Sequence, residues 1–163
     1  MNETANPHKF DRFDRRILEE LQRDGGLSNQ TLAERVGLSA SPCSRRVRAL
    51  EKAGIILRRV TLLDRRKLGL SLTVLVHISM DRHTPDRFDN FEQKVRGFPQ
   101  VQECYIITGQ EADYQLKVVV PDMDHYQEFL LNRLTRIEGV TGVHSSFVLR
   151  RVLDSTELPL GYL

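Results

Sequence analysis

The chain has no tryptophan, only two cysteines, and no apolar run near the roughly 20 residues that a membrane-spanning helix needs. Cys43 and Cys104 stand far apart, with no CxxC and no histidine at ligand spacing. That excludes a disulfide framework or a zinc site and predicts two reduced, mostly buried thiols of a cytosolic protein. The opening stretch MNETANPHKFDR has no basic segment followed by an apolar one, so no secretory signal is expected there. Catalytic signatures are missing as well. The histidines (His8, His77, His83, His125 and His144) are scattered, with no HExxH, no glycine-rich phosphate loop and no serine or cysteine in a recognisable nucleophile setting. His77 and His144 are the one pair that could converge in space, and a structural role is the expectation for them. No metal, cofactor or catalytic residue is predicted.

What the chain does have is positive charge in one place. Residues 41–69 hold nine Lys/Arg against two acids, a net of +7. Residues 1–40 hold six bases and seven acids, and residues 70–163 hold nine bases and thirteen acids. The overall +2 therefore hides a basic module joined to an acidic one. Concentrated cations suit a polyanion, because each neutralised phosphate releases condensed counterions.

The first module reads as three short helices. Asp14 is the expected cap of a helix bearing Ile17, Leu18 and Leu21 and ending at Gly25-Gly26. Ser28 caps a second, carrying Leu32, Ala33 and Val36 and stopped by Gly37. Ser41-Pro42 predicts the start of a third, because the hydroxyl accepts an orphan N–H and proline has none to lose. It runs to about Ala53. Helices two and three about a tight glycine turn match a helix-turn-helix. On the third helix Cys43, Val47 and Leu50 recur at core spacing, while Ser41, Ser44, Arg45, Arg48 and Lys52 share the opposite side. Such a helix can dock by one face and enter a major groove with the other. Arg46 falls between the faces, fitting a phosphate contact or an internal ion pair. Ser39 joins the candidate DNA-binding set, as do Arg58 and Arg59 on a strand predicted over residues 55–63. Asp64 through Gly69 reads as turn and linker.

The second module alternates strands and helices. The predicted order is a strand at 72–79, a helix opened by Pro85, strands at 101–108 and 114–120, a helix capped by Asp122 and ended by Gly139, and a strand at 143–149. Strand–helix–strand–strand–helix–strand is the ferredoxin-like βαββαβ pattern. Both helices then cover one sheet face. The strands are apolar enough on both faces to suggest a partner subunit, with Val119, Ile106 and Val148 as candidate interface residues. The predicted fold class is α+β, with a winged helix-turn-helix at 10–69, a ferredoxin-like ligand-sensing domain at 70–153 and a tail at 154–163.

Three segments, FDRFDRRILEELQRDG (10–25), LAERVGLSASPCSRRVRALEKAGII (32–56) and DYQLKVVVPDMDHYQEFL (113–130), carry a family resemblance. With the SPC step, RVRALE and the closing TELPL (156–160), the chain resembles the Lrp/AsnC, or feast/famine, transcription regulators over nearly its whole length. The resemblance implies a DNA-reading module with its motif at about Asn29 to Arg48. It implies dimerisation through the sheet and linker strand, assembly into tetramers or octamers, and a free amino acid as effector, in a cytoplasmic, nucleoid-associated protein. The effector region implied is Ile106, Thr108, Gly109, Gln110, Glu111, Asp113 and Tyr114, completed by Met123 and by Ser145, Ser146 and Phe147.

The residue chemistry suits that role, since Glu111 and Asp113 can accept from an ammonium while amides near Gly109 donate to a carboxylate. The same residues also suit a solvated hairpin. The family pattern here is Gly-x-x-Asp-Tyr, whereas this chain has Gly-Gln-Glu-Ala-Asp-Tyr, one residue longer, so which acid meets the ligand stays open. Two other readings remain: an architectural DNA-binding protein without effector, and a ferredoxin-like enzyme fused to a DNA-binding module.

Overall fold

The computed structural model describes residues 9–108 and 112–163. The chain divides into two compact units. One comprises the described residues up to Leu62 together with Leu153–Leu163, and the other is Leu63–Val152.

The first unit is built on α1 (Arg12–Arg23), α2 (Asn29–Val36) and α3 (Ala40–Lys52). Asp11, not Asp14, caps α1: its carboxylate accepts from the Phe13 and Asp14 amides, and Asp14 reaches back to the Asp11 amide in a capping box. Ser28 caps α2 as expected, accepting from the Thr31 amide. Gly37 takes φ +76° and Leu38 N–H returns to Ala33 O at 2.9 Å, a left-handed helix end that glycine enters without Cβ strain. The helix after this turn starts two residues earlier than predicted. Ser39 is its N-cap and Pro42 its third residue, where the missing N–H still falls among the four orphan donors of a first turn. Ile17, Leu32, Val36, Cys43 and Leu50 are sealed at the centre.

The strand expected over residues 55–63 does not form. The Ile55 and Ile56 amides both return to Leu50 O, and the following residues pair with no strand of the described chain. Leu57, Val60, Leu62 and Leu63 are exposed along it. A strand needs a neighbour for its N–H and C=O groups, and apolar β-formers alone do not supply one. Asp64 accepts from the Arg66 and Lys67 amides and organises the turn that follows.

The second unit holds β1 (Leu72–Met80), α4 (Pro85–Arg96), β2 (Val101–Ile106), β3 (Tyr114–Val120), α5 (Met123–Asn132), a 3-10 turn (Leu134–Arg136) and β4 (Val140–Phe147). The sheet order is β2-β3-β1-β4, antiparallel throughout, the ferredoxin-like arrangement. Direct cross-strand partners share a face. Val74, Val76 and Ile78 with Val118, Leu116 and Tyr114 form the covered face, packed against Phe91, Val95, Tyr126 and Phe129 of the two helices. The other face carries Leu75, His77 and Ser79 with Lys117, Ser146 and His144, all partly or fully exposed, while Thr73 and Val119 are buried at one end. Ile106 was grouped with Val119 as interface, but its register with Tyr114 puts it on the helix-covered side, at the sheet edge.

Two boundaries move for physical reasons. The second helix of this unit stops at Asn132 because Thr135 and Arg136 side chains both donate to Leu131 O, and Leu134 enters the core from a 3-10 turn. β4 begins at Val140 because Gly139, at φ +94°, accepts Asp81 N–H at 2.8 Å and starts the pairing early. A Cβ there would meet Met80 Cε at 3.0 Å and Asp81 Oδ1 at 3.1 Å.

Candidate DNA-reading and effector sites

The two faces of α3 separate as the periodicity predicts. Cys43, Val47 and Leu50 are buried, whereas Ser41, Arg45, Arg48 and Lys52 are exposed and Ser44 is half-buried. Arg46, half-buried between the faces, is ion-paired. One of its terminal nitrogens lies 2.8 Å from Asp11 and 2.9 Å from Asp14, with Asp14 almost fully buried. Of its two sequence-level roles, the ion pair is the one adopted. The Asp14 backbone N–H is the main cause holding the Asp11 carboxyl below its ordinary range, and the Arg46 guanidinium adds to it. The cation thus ties α1 to α3.

Asn29 makes a second tie that sequence reasoning missed. Its amide donates to Ala40 O at 2.9 Å, joining the first residue of α2 to the first of α3. Its position beside the Ser28 cap was the only signal. Ser39, the N-cap of α3, is exposed, and its side chain makes no cap bond. Arg59 leans back to Glu51 at 3.5 Å, and both line a shallow groove of about 190 Å³ with Asn29, Ser44 and Arg48. Arg58 is exposed. Arg35 pairs with Glu20 at 3.0 Å, bracing α2 on α1.

The candidate effector residues fall into two patches. Asp113 forms the centre of the first. One carboxylate oxygen accepts Met80 N–H at 2.7 Å, the other meets His83 Nε2 at 2.7 Å, and the Asp113 amide donates to Ile78 O. His83 was not singled out for this role; it is 30 residues away in sequence, and no local pattern links the two. Tyr114 is buried, its ring tilted by 36° against Phe91 at 4.4 Å and edge-on to Phe88, with its hydroxyl donating to Glu92 at 3.2 Å. Burial first, and Glu92 second, push its phenol up. Its ring backs a cavity of about 350 Å³ shared with Ile106, Cys104, Glu92 and Arg96. Thr108 is exposed, and Gly109, Gln110 and Glu111 lie outside the described residues. Cys104 is also exposed, contrary to expectation, while Cys43 is buried.

The second patch joins α5 to β4. Tyr126 and Ser145 hydroxyls lie 2.5 Å apart, and Phe147 meets the Tyr126 ring edge-on at 5.7 Å. Met123 and Phe147 are half-exposed. Ser146 points to the opposite sheet face, away from this group. Tyr114 is level with Ile78 on one side of β1, and Phe147 is level with Val74 on the other. Four residues of strand rise and two strand spacings separate them, about 16 Å. Among the described residues, a single chain therefore does not bring the two patches together.

His77 and His144 do converge, as direct cross-strand partners with ring centroids 6.4 Å apart. Among the described residues, no group of three or more His, Cys, Asp or Glu gathers as a metal site, and no helix is long and apolar enough to cross a membrane.

Comparison with known proteins agrees with this geometry. The Lrp/AsnC ligand binding domain matches residues 73–158, and a winged helix-turn-helix DNA-binding domain matches residues 10–56. The leucine-responsive regulatory proteins of Klebsiella pneumoniae and Escherichia coli K12 are each 43% identical over 149 residues, covering 91% of this chain and 90% of theirs. A Neisseria meningitidis transcriptional regulator solved with L-Met superposes with a TM-score of 0.91 at 38% identity, covering 94% of this chain and 99% of that one. An AsnC family regulator from Agrobacterium tumefaciens gives 0.89 at 42% identity, with the same coverage.

Proposed function

Because this chain belongs to the Lrp/AsnC family of DNA-binding transcription regulators, we propose that it reads operators through α3 and changes its grip on them when a free apolar amino acid binds between subunits. The observation that carries the reading is the division of labour on α3. Arg46 is committed to Asp11 and Asp14, while Arg45, Arg48 and Lys52 of the same helix stand exposed on its outer side. In this reading Ser39, Ser41, Ser44, Arg45 and Arg48 approach bases and flanking phosphates, and Lys52, Arg58 and Arg59 add phosphate contacts. A two-fold dimer then spans half-sites one helical turn apart, or a multiple of it.

The effector part rests on the two patches. Asp113, Tyr114 and Ile106 serve from one subunit, and Met123, Ser145 and Phe147 from another, so ligand binding and assembly are linked. Leucine in the names of the relatives and L-Met in the Neisseria structure favour an apolar side chain. The protein works in the cytoplasm on the nucleoid, as a dimer that builds tetramers or octamers. The test is an operator titration at fixed salt. Arg48→Ala should weaken binding by about 1–3 kcal/mol if it makes a bidentate guanine contact. Unchanged affinity removes it from the reader. Sequence-indifferent binding, unmoved by L-leucine or L-methionine, would instead favour an architectural role.

A further inference from the structure

The end of the chain is part of the DNA-binding unit, although it follows the last strand of the other unit. The Gln22 carboxamide on α1 grips one tail residue twice. Leu158 N–H donates to Gln22 Oε1 at 2.6 Å, and Gln22 Nε2 donates to Leu158 O at 3.3 Å. This reproduces the paired bonds that one strand offers another, 136 positions away in sequence. Arg23, the next residue of α1, lies 3.8 Å from Glu157. Leu160 packs against the core cluster of the three helices, with Leu21, Ile55 and Ile56. Thr156, Leu158 and Leu160 of the tail form one wall of a mainly apolar groove of about 420 Å³, whose other walls are α1 and residues of the 55–62 segment. A backbone clamp, an ion pair and an apolar anchor within four residues make a peptide-recognition surface.

We propose that residues 156–160 are a clasp: a short Thr-Glu-Leu-Pro-Leu peptide ligand, joined in sequence to the effector unit, that docks on α1 and gives the DNA-binding unit a second tether. The rest of the connection between the units is residues 57–71, which make no strand. A reader held at two points loses less orientational freedom when it engages DNA than one held at a single point. Docking therefore stiffens the unit and raises affinity for an operator with two half-sites. Release exposes the groove and weakens that affinity. Because β4 ends at Phe147, nine positions before the clasp begins, a change at Ser145 or Phe147 has a covalent route to it.

The test compares the full chain with a chain ending at Asp154, by hydrogen exchange without DNA. The amides of α1 should exchange roughly ten-fold faster after truncation, the scale of one lost docking contact of about 1.4 kcal/mol. A synthetic peptide of residues 154–163, added in millimolar excess, should restore their protection, and a scrambled peptide should not. Gln22→Ala should abolish the rescue. Should the truncated chain fail to fold, Leu160→Ser in the full chain decides, with the same faster exchange expected. Unchanged exchange in these variants, or no rescue by the peptide, overturns the clasp. Operator affinity is then measured on the same proteins, and should fall roughly five-fold for two half-sites while a single half-site is unaffected. Exchange changes without any DNA binding by the parent would sink the regulator reading and leave the clasp standing.

Discussion

Replacing Arg46 by alanine tests whether a cation on the proposed DNA-reading helix is structural. The substitution leaves the nearly buried Asp14 carboxylate, 7% exposed at its side chain, without its 2.9 Å guanidinium partner. Breaking a fully buried pair costs about 3–5 kcal/mol, whereas an exposed one costs about 0–1 kcal/mol. Arg46 is itself 31% exposed and Asp11 47%, so the cost falls between these limits, about 2 kcal/mol. If the DNA-binding unit melts on its own, the midpoint should drop by about 8–16 °C. Circular dichroism at the helical band, or calorimetry, reads this directly. Arg45→Ala and Arg48→Ala remove the same charge from the exposed side and should shift stability by less than about 0.5 kcal/mol. The Asp11 carboxyl sits below its ordinary pKa, first through the Asp14 backbone N–H and then through Arg46. Its contribution is therefore complete above the ordinary carboxylate value of 3.8 and disappears as pH falls below it. In Arg46→Ala that acid-side loss should shrink. An Arg46→Ala protein as stable as the parent, yet as weak on operator DNA as Arg48→Ala, would refute the reasoning and return Arg46 to the phosphate contacts.

Asp113→Ala should cost about 1–3 kcal/mol, because the Met80 amide loses a 2.7 Å acceptor; a melt unchanged within error would show that the bond contributes nothing. The effector role of Asp113 is therefore better tested with Asp113→Asn, which keeps an acceptor and removes the charge that an ammonium needs; equal L-leucine affinity by calorimetry in parent and variant would remove that role. Gly37→Ala should cost about 1–2 kcal/mol from φ +76° alone, since nothing stands within 4 Å of the added carbon. Gly139→Ala should cost more, as Met80 and Asp81 crowd the site, and an equal loss of denaturation midpoint in the two would contradict this. Asp122, by its hydrogen bond, raises the His125 pKa above 6.5. That stabilising effect is complete below pH 6.5 and fades as pH rises through the higher folded value, so His125→Gln should flatten the stability slope there; identical slopes would dismiss the pair.

Periodicity exposed most of the fold because core spacing is a local property. The alternation in β1 and the Cys43–Val47–Leu50 spacing both survive in the structure, and so does the outward set on α3. What stayed hidden depends on contacts between distant positions. Arg46 could not be assigned without knowing that Asp11 and Asp14 lie beneath it, 35 and 32 residues upstream. The 55–63 segment has strand composition, but composition does not provide a neighbouring strand. The His83–Asp113 contact and the tail on α1 have no local signature at all. The candidate effector residues came from family likeness, and the register then separated the described ones into two groups, which likeness alone did not indicate.

That separation has a consequence for how such a protein senses its surroundings. If the two patches together form the receptor, as proposed, it is incomplete in a lone subunit, so receptor number grows with subunit encounters as well as with chain count. Nutrient level and regulator abundance then enter the response as a product. A cell making few copies would need more of the nutrient for the same effect, and dilution alone would silence the signal.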